Sequence, residues 1–315
     1  MRVEPLFFEP VFQERIWGGT RLTSFGYDIP SGKTGECWAF SAHPNGPSIV
    51  KNGSYKGLSL ADLWKEHRNL FGNLSGDTFP LLTKILDAND NLSVQVHPDD
   101  QYAKENEKDE LGKTECWYII DCDEDAELIF GHNAKSQEEL VRMVDEEKWD
   151  ELLRIVKIKK GDFFYVPSGT VHALCKGTLV LETQQNSDTT YRLYDYNRKD
   201  ANGNVRELHL EKSKDVIQVP FVNENLSFGT EQTEETIVTP FVANEYFSVD
   251  KYEVSGKASF EQSYPFLLCS VIDGDGKLIS KSREYELDKG EHFLLPHNFG
   301  EYKLMGDMEL IVSHV

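Results

Sequence analysis

The chain reads as a mainly β protein made of antiparallel barrels or sandwiches, and three observations predict this. Short alternating segments separated by Gly, Pro, Asn and Asp turn signals fill most of the first two-thirds. Helical spacing is confined to a few stretches. The segment Lys160-Gly161-Asp162-Phe163-Phe164-Tyr165-Val166-Pro167 recurs as Lys289-Gly290-Glu291-His292-Phe293-Leu294-Leu295-Pro296, a Gly turn into a strand that ends at Pro. Two barrel units of one kind, with a few inserted helices, are therefore expected.

In chain order, Pro5 to Ala42 is rich in aromatics, Gly and Pro and holds Trp17-Gly18-Gly19. The run from Gly35 to Ala42 predicts a strand ending in a turn at His43-Pro44. Leu60, Leu63, Trp64, His67, Leu70 and Phe71 have helical spacing, with Ser59 as N-cap. A second helical stretch is expected from Ser136 to Ile155, opened by a Ser136/Glu139 capping box, with Leu140, Met143, Val144, Trp149, Leu152 and Leu153 as its apolar face. Thr178–Thr183 and Thr189–Asp195 are further strands, and Asp200-Ala201-Asn202-Gly203 is a turn. The acidic stretch from Asn223 to Glu235 reads as a linker. It divides a unit over 1–235 from a smaller all-β unit over 236–315. In the internal repeat the place of His172 falls to Glu301, so the second unit is expected to be a degenerate barrel without metal.

The 315 residues suffice for two domains with a sizeable core. No apolar run approaches membrane-spanning length, and the start has no signal-peptide pattern, so a cytoplasmic protein is expected. Five scattered cysteines, in no close-spaced zinc pattern, agree with a reducing compartment. A formal net charge of −21 disfavours nucleic acid and anionic membranes as partners. An anionic small molecule would need a local cationic patch, for which Lys113, Arg192 and Arg198 are candidates. The oligomeric state is left open, a monomer included.

The chemistry concentrates in three segments. In Ser93-Val94-Gln95-Val96-His97-Pro98, alternation puts Gln95 and His97 on one face of a strand. In Lys113-Thr114-Glu115-Cys116-Trp117-Tyr118, Lys113, Glu115 and Trp117 face one way while Cys116 and Tyr118 face the other. His172 follows the turn at Pro167-Ser168-Gly169. Gln95, His97, Glu115 and His172 offer an oxygen and nitrogen set suited to a divalent metal. Each also has a structural reading: His97 as a surface histidine at a strand end, Glu115 as a carboxylate with an undisclosed partner, Arg192 as an ion-pair partner of Asp188 or Asp195. A buried carboxylate beside a large aromatic is costly without a partner, which favours the metal.

Gln95-Val96-His97-Pro98, Lys113-Thr114-Glu115-Cys116-Trp117-Tyr118, Pro167-Ser168-Gly169-Thr170-Val171-His172-Ala173 and Tyr191-Arg192-Leu193-Tyr194-Asp195 resemble, in order, the signature segments of the type I mannose-6-phosphate isomerases, short bacterial form. The resemblance covers most of the chain, including Trp17-Gly18-Gly19 and the degenerate second barrel. It implies cupin-type (jelly-roll) barrels and one Zn2+ per chain held by His97, Glu115 and His172, with Gln95 as fourth ligand. It also implies Arg192 as a catalytic residue and a sugar phosphate as the substrate; Lys113, on the face of Glu115, is the expected substrate contact. Two rivals differ in chemistry. Two histidines and a carboxylate also make an iron(II) oxygenase site, and a barrel of this kind can bind sugar without turning it over.

Overall fold

The computed structural model describes residues 4–315 apart from 109, 200–202, 225, 227, 234 and 282. The turn expected at Asp200-Ala201-Asn202-Gly203 thus lies, except for Gly203, outside the described residues.

The first barrel is a pair of antiparallel sheets. One has six strands, in the order Phe163–Val166, Glu115–Cys122, Thr178–Gln185, Leu81–Ala88, Thr34–Phe40 and Val11–Gly19. The other has five: Tyr191–Tyr194, Val94–Val96, His172–Leu174, Glu127–His132 and Leu153–Lys157. Because side chains alternate along a strand, each sheet has two faces with different fates. Trp117, Ile119, Leu86, Val180, Leu128, Phe130 and Leu174 point between the sheets and close one end of the barrel. Val94, Val96, Ile129, Ala173 and Leu193 point away and are covered by Leu140, Met143 and Val144 of the helix Gln137–Asp145. Cys116, Tyr118 and Ile120 point outward from the six-stranded sheet onto Val249, Phe266, Leu268 and Ile311 of the C-terminal unit. Each such side chain stabilises the fold by about 1.5–3 kcal/mol when fully buried.

The C-terminal unit is a nine-stranded antiparallel sheet with its own core, including Val271, Leu287, Phe293, Leu295 and Leu310. Its sheet is completed by the beginning of the chain. Leu6–Glu9 pairs with His292–Pro296, Leu6 opposite Leu294, and Ile49–Val50 pairs with Leu6–Glu9 in turn. The repeated segments both form strands, Phe163–Val166 and His292–Pro296, each preceded by a glycine of positive φ, +90° at Gly161 and +94° at Gly290.

Two local expectations are corrected. The helix begun at Ser136 stops at Asp145, Glu147 takes a φ of 53°, and after a short helix Trp149–Leu152 the chain becomes the strand Leu153–Lys157. The apolar spacing of Leu152 and Leu153 therefore comes from two elements. The capping box is half formed: Ser136 Oγ accepts from Glu139 N at 3.2 Å, but the Glu139 carboxylate accepts from Lys135 N. The full box is at Ser59 and Asp62, opening the helix Leu60–Glu66. Among the described residues no helix is long and apolar enough to cross a membrane.

Candidate active site

Cross-strand register assembles the site in rows. On the five-stranded sheet Arg192, Gln95, His172 and Phe130 stand opposite one another in sequence, through Arg192↔Gln95, His172↔Gln95 and His172↔Phe130. On the six-stranded sheet Trp38, Lys84, Glu182, Trp117 and Phe164 form a row across five strands. The neighbouring row carries Gln184 opposite Glu115. His97 lies one residue past the strand Val94–Val96, where Gly169 N donates to its carbonyl at 2.9 Å.

His97, Glu115 and His172 come together, with one donor atom from each lying within 4.8 Å of the others. All three are buried. His97 Nε2 is 3.4 Å from Glu115 Oε2, and His172 Nε2 is 3.3 Å from Glu115 Oε1. Ligand atoms about 2.0–2.1 Å from a tetrahedral ion sit about 3.3 Å apart, so these separations suit a divalent metal. Each histidine directs its other nitrogen at a carbonyl, His97 Nδ1 at Thr189 O (2.9 Å) and His172 Nδ1 at Thr170 O (2.8 Å). Nδ1–H donates in both, which fixes the tautomer that leaves Nε2 as a lone-pair donor. Both Glu115 oxygens are buried; Oε2 has the Lys113 ammonium at 2.9 Å, while Oε1 has no hydrogen-bond partner, an acceptor of the kind a cation satisfies. The residues therefore fit a metal ion.

Gln95 and Lys113 connect this cluster to a cavity of about 330 Å³ that both of them line. The Gln95 carboxamide is 3.3 Å from His172 Nε2. Lys113 Nζ is 2.9 Å from Glu115 Oε2 and 3.1 Å from His97 Nε2. Electrostatics holds this arrangement in one protonation state. Burial, then the Lys113 charge, pushes the His97 imidazole down to about 3, and burial also lowers His172. Burial works against the Glu115 carboxylate, but the charge of Lys113 leads the effects that outweigh it and hold the group well below its ordinary range. Lys113, which burial alone would discharge, is kept protonated by Glu115 and Glu182.

Arg192 lines the cavity and is not paired with Asp188 or Asp195. Its Nη1 donates to Glu207 O at 2.8 Å, while its Nε is buried without a partner. Asp195 instead binds Arg198 and Arg206, and Asp188 accepts from Asn45 at 3.2 Å. Arg198 does not line the cavity; Arg206 does.

Sequence reasoning missed several residues that line the cavity. Lys84 and Glu182 are 3.6 Å apart, Lys84 also lies 5.0 Å above the Trp38 ring, and Trp117 Nε1 donates to Glu182 at 2.9 Å. Burial, then the Glu115 charge, raises the Glu182 carboxyl. Glu36 accepts from Arg15 Nε at 2.9 Å and from Trp38 Nε1 at 2.5 Å. A signal existed for two of these: Lys84 and Glu182 are charged residues next to apolar runs, in Leu81-Leu82-Thr83-Lys84-Ile85-Leu86 and Leu179-Val180-Leu181-Glu182. Arg206, from an irregular segment, carried none.

The family described as "Phosphomannose isomerase type I, catalytic domain" matches residues 6–120, and "Mannose-6-phosphate isomerase, cupin domain" matches residues 237–315. The chain is 63% identical to mannose-6-phosphate isomerase ManA of Bacillus subtilis over the full length of both. It is 54% identical to the mannose-6-phosphate isomerase of Streptococcus mutans, over 99% of this chain and 98% of that one. Its structure superposes on the crystal structure of a mannose 6-phosphate isomerase from Bacillus subtilis with a TM-score of 0.97, at 56% identity and full coverage of both chains. Likeness of this extent, running end to end through the chain, means that the chain belongs to the type I phosphomannose isomerases.

Proposed function

We propose that this chain interconverts mannose 6-phosphate and fructose 6-phosphate, with one zinc ion held by His97, Glu115 and His172 and by the amide oxygen of Gln95. The observation that carries the reading is the convergence of two Nε2 atoms on the buried Glu115 carboxylate, whose Oε1 has no hydrogen-bond partner, beneath a cavity of about 330 Å³ lined by Lys84, Lys113, Arg192 and Arg206. That volume falls in the range of about 300–1,000 Å³ typical of small-molecule sites.

Aldose–ketose isomerisation moves a proton between C1 and C2 through an enediolate, with no net redox change. Bound zinc supplies Lewis acidity, which polarises the carbonyl and stabilises charge on the adjacent oxygens. The chain's own residues do the rest. Lys113 faces the cavity as a fixed ammonium and contacts the sugar oxygens. Arg192 lines the cavity and stabilises developing oxyanion charge with its guanidinium, whose Nε has no protein partner. Glu182 is buried, with its Oε1 free of hydrogen bonds and its carboxyl raised. It is the cavity-lining group best suited to hold the proton between transfers.

The same reading makes 1–235 the metal-binding catalytic unit and 236–315 a structural partner. The single His/Glu cluster among the described residues, inside the first barrel, supports this division. The net charge of −21 disfavours nucleic acid and anionic membranes as partners, and the scattered cysteines agree with a cytoplasmic enzyme. The test is a coupled assay on mannose 6-phosphate before and after chelation, with zinc added back and metal content measured alongside. Loss and recovery of turnover, in step with one zinc per chain, is expected. Equal turnover by stripped protein, or oxygen uptake by an iron-loaded form, overturns the reading.

A further inference from the structure

The cavity is charged unevenly. Toward the buried cluster each cation has its own carboxylate: Lys113 has Glu115, Lys84 has Glu182, and Arg15 has Glu36. Around the strand Tyr191–Tyr194 the balance differs. Arg206 donates Nε and Nη2 to Asp195 at 2.7 and 2.6 Å, and Arg198 donates Nη2 to the same carboxylate at 2.5 Å. Asp90 reaches Arg198 only at 3.9 Å. Arg192 meets the carbonyl of Glu207, and its Nε is buried without a partner. Two guanidiniums thus share one buried carboxylate, and a third, Arg192, stands near them without an ion-pair partner of its own, in a chain whose net charge is −21. Two of the three, Arg192 and Arg206, line the cavity.

We propose that Arg206, oriented by Asp195, forms the anion subsite that takes the phosphoryl end of the sugar phosphate. This rests on the functional reading above and adds the residues that select a phosphorylated substrate. A phosphate dianion is bound best by forked guanidinium donors held in a fixed plane. Asp195 supplies that plane by engaging the Nε/Nη2 edge of Arg206 and leaving Nη1 outside the pair. Burial and the neighbouring Arg206 charge both lower the Arg192 guanidinium, a like-charge proximity that a dianion relieves. Arg206 is therefore a specificity-determining residue and Asp195 a positioning residue.

The experiment compares the zinc-loaded wild type with Arg206→Gln, Arg206→Lys, Asp195→Asn and the Asp195→Asn/Arg206→Gln double variant. KM for mannose 6-phosphate and competitive inhibition by inorganic phosphate are measured, with calorimetric titration of inorganic phosphate as a readout independent of turnover. In Arg206→Gln, KM and the phosphate inhibition constant are expected to rise together, by about ten- to a hundredfold, the range for one charge-assisted contact. The loss in kcat is smaller. Arg206→Lys recovers part of the loss, and it carries the test should Arg206→Gln fold poorly. Asp195→Asn raises KM without adding to the effect in the double variant. KM and phosphate binding within about twofold of wild type in both Arg206 variants overturn the inference. A wild type without turnover refutes the functional reading instead, while phosphate titration still decides the role of Arg206.

Discussion

Lys84 and Glu182 are register partners on neighbouring strands, with ammonium and carboxylate 3.6 Å apart and both side chains 4% exposed. Both charges are largely withdrawn from water, and Glu182 is compensated by Lys113 as well as Lys84 and capped by the Trp117 N–H. Lys84→Met removes one of the two cations that compensate Glu182, and is expected to cost about 1–3 kcal/mol of stability unless the carboxyl takes up a proton. Lys84→Met/Glu182→Gln is expected to cost clearly less than the two single changes summed. Denaturant unfolding of the four proteins measures this coupling; additive losses refute it.

Arg192→Ala is expected to keep its metal and its fold while kcat falls about 10²–10³-fold, the loss usual for one oxyanion-stabilising donor. The backbone around Arg192 does not depend on the side chain, because Arg192 N donates to His209 Nδ1 at 3.0 Å and His209 N donates back to Arg192 O at 2.8 Å. Metal analysis beside steady-state kinetics checks this. Turnover near wild type removes Arg192 from the chemistry.

How much of this site was legible depended on how each residue is held. Gln95, Glu115 and Trp117 sit on strands whose alternation can be read directly, so the faces assigned to them match the packing of Val94, Val96, Cys116 and Tyr118 on the opposite sides. His172 was found by its place after a turn. The partnership of Lys84 with Glu182 was not, because register between strands about a hundred residues apart is set by tertiary pairing and leaves no local trace. Asp195 was taken for a possible partner of Arg192, whereas it binds Arg198 and Arg206; the choice among three nearby arginines is made by side-chain geometry. The helix expected to run to Ile155 failed for a related reason. Helical spacing continued across Glu147, whose left-handed φ ends the element with no Gly or Pro to mark it.

His292, far in sequence from His97, Glu115 and His172, gives a pH prediction for the C-terminal unit. Its ring is buried between Tyr27 Oη (2.7 Å) and Ser270 Oγ (3.0 Å). Burial, then the Lys51 charge, pushes its pKa down from 6.5 to about 3. The unfolded chain takes up a proton below pH 6.5 that the folded chain refuses. The stabilisation is therefore full above about 6.5 and is lost as pH falls toward about 3. His292→Gln removes this contribution. Between about pH 6 and 4.5 the unfolding free energy of the variant should fall less steeply than that of the wild type, by up to about 1.4 kcal/mol per pH unit. Parallel curves from urea titrations across that range contradict the assignment.

The internal repeat supplies a matched pair of glycines in the same backbone conformation and different surroundings. A Cβ on Gly161, φ +90°, meets nothing within 4 Å, whereas a Cβ on Gly290, φ +94°, meets the Phe25 carbonyl oxygen at 2.5 Å and Tyr27 Cε1 at 3.1 Å. Alanine at either position bears the left-handed backbone penalty of about 1–2 kcal/mol. At Gly290 it must also displace the segment at Phe25, which packs the chain's first turns against the second barrel, and overpacking of this kind adds about 1–3 kcal/mol. Gly290→Ala should therefore melt several degrees below Gly161→Ala, which itself melts below the wild type. Equal melting temperatures mean that the second barrel yields at this turn and that the contact with Phe25 does not fix it.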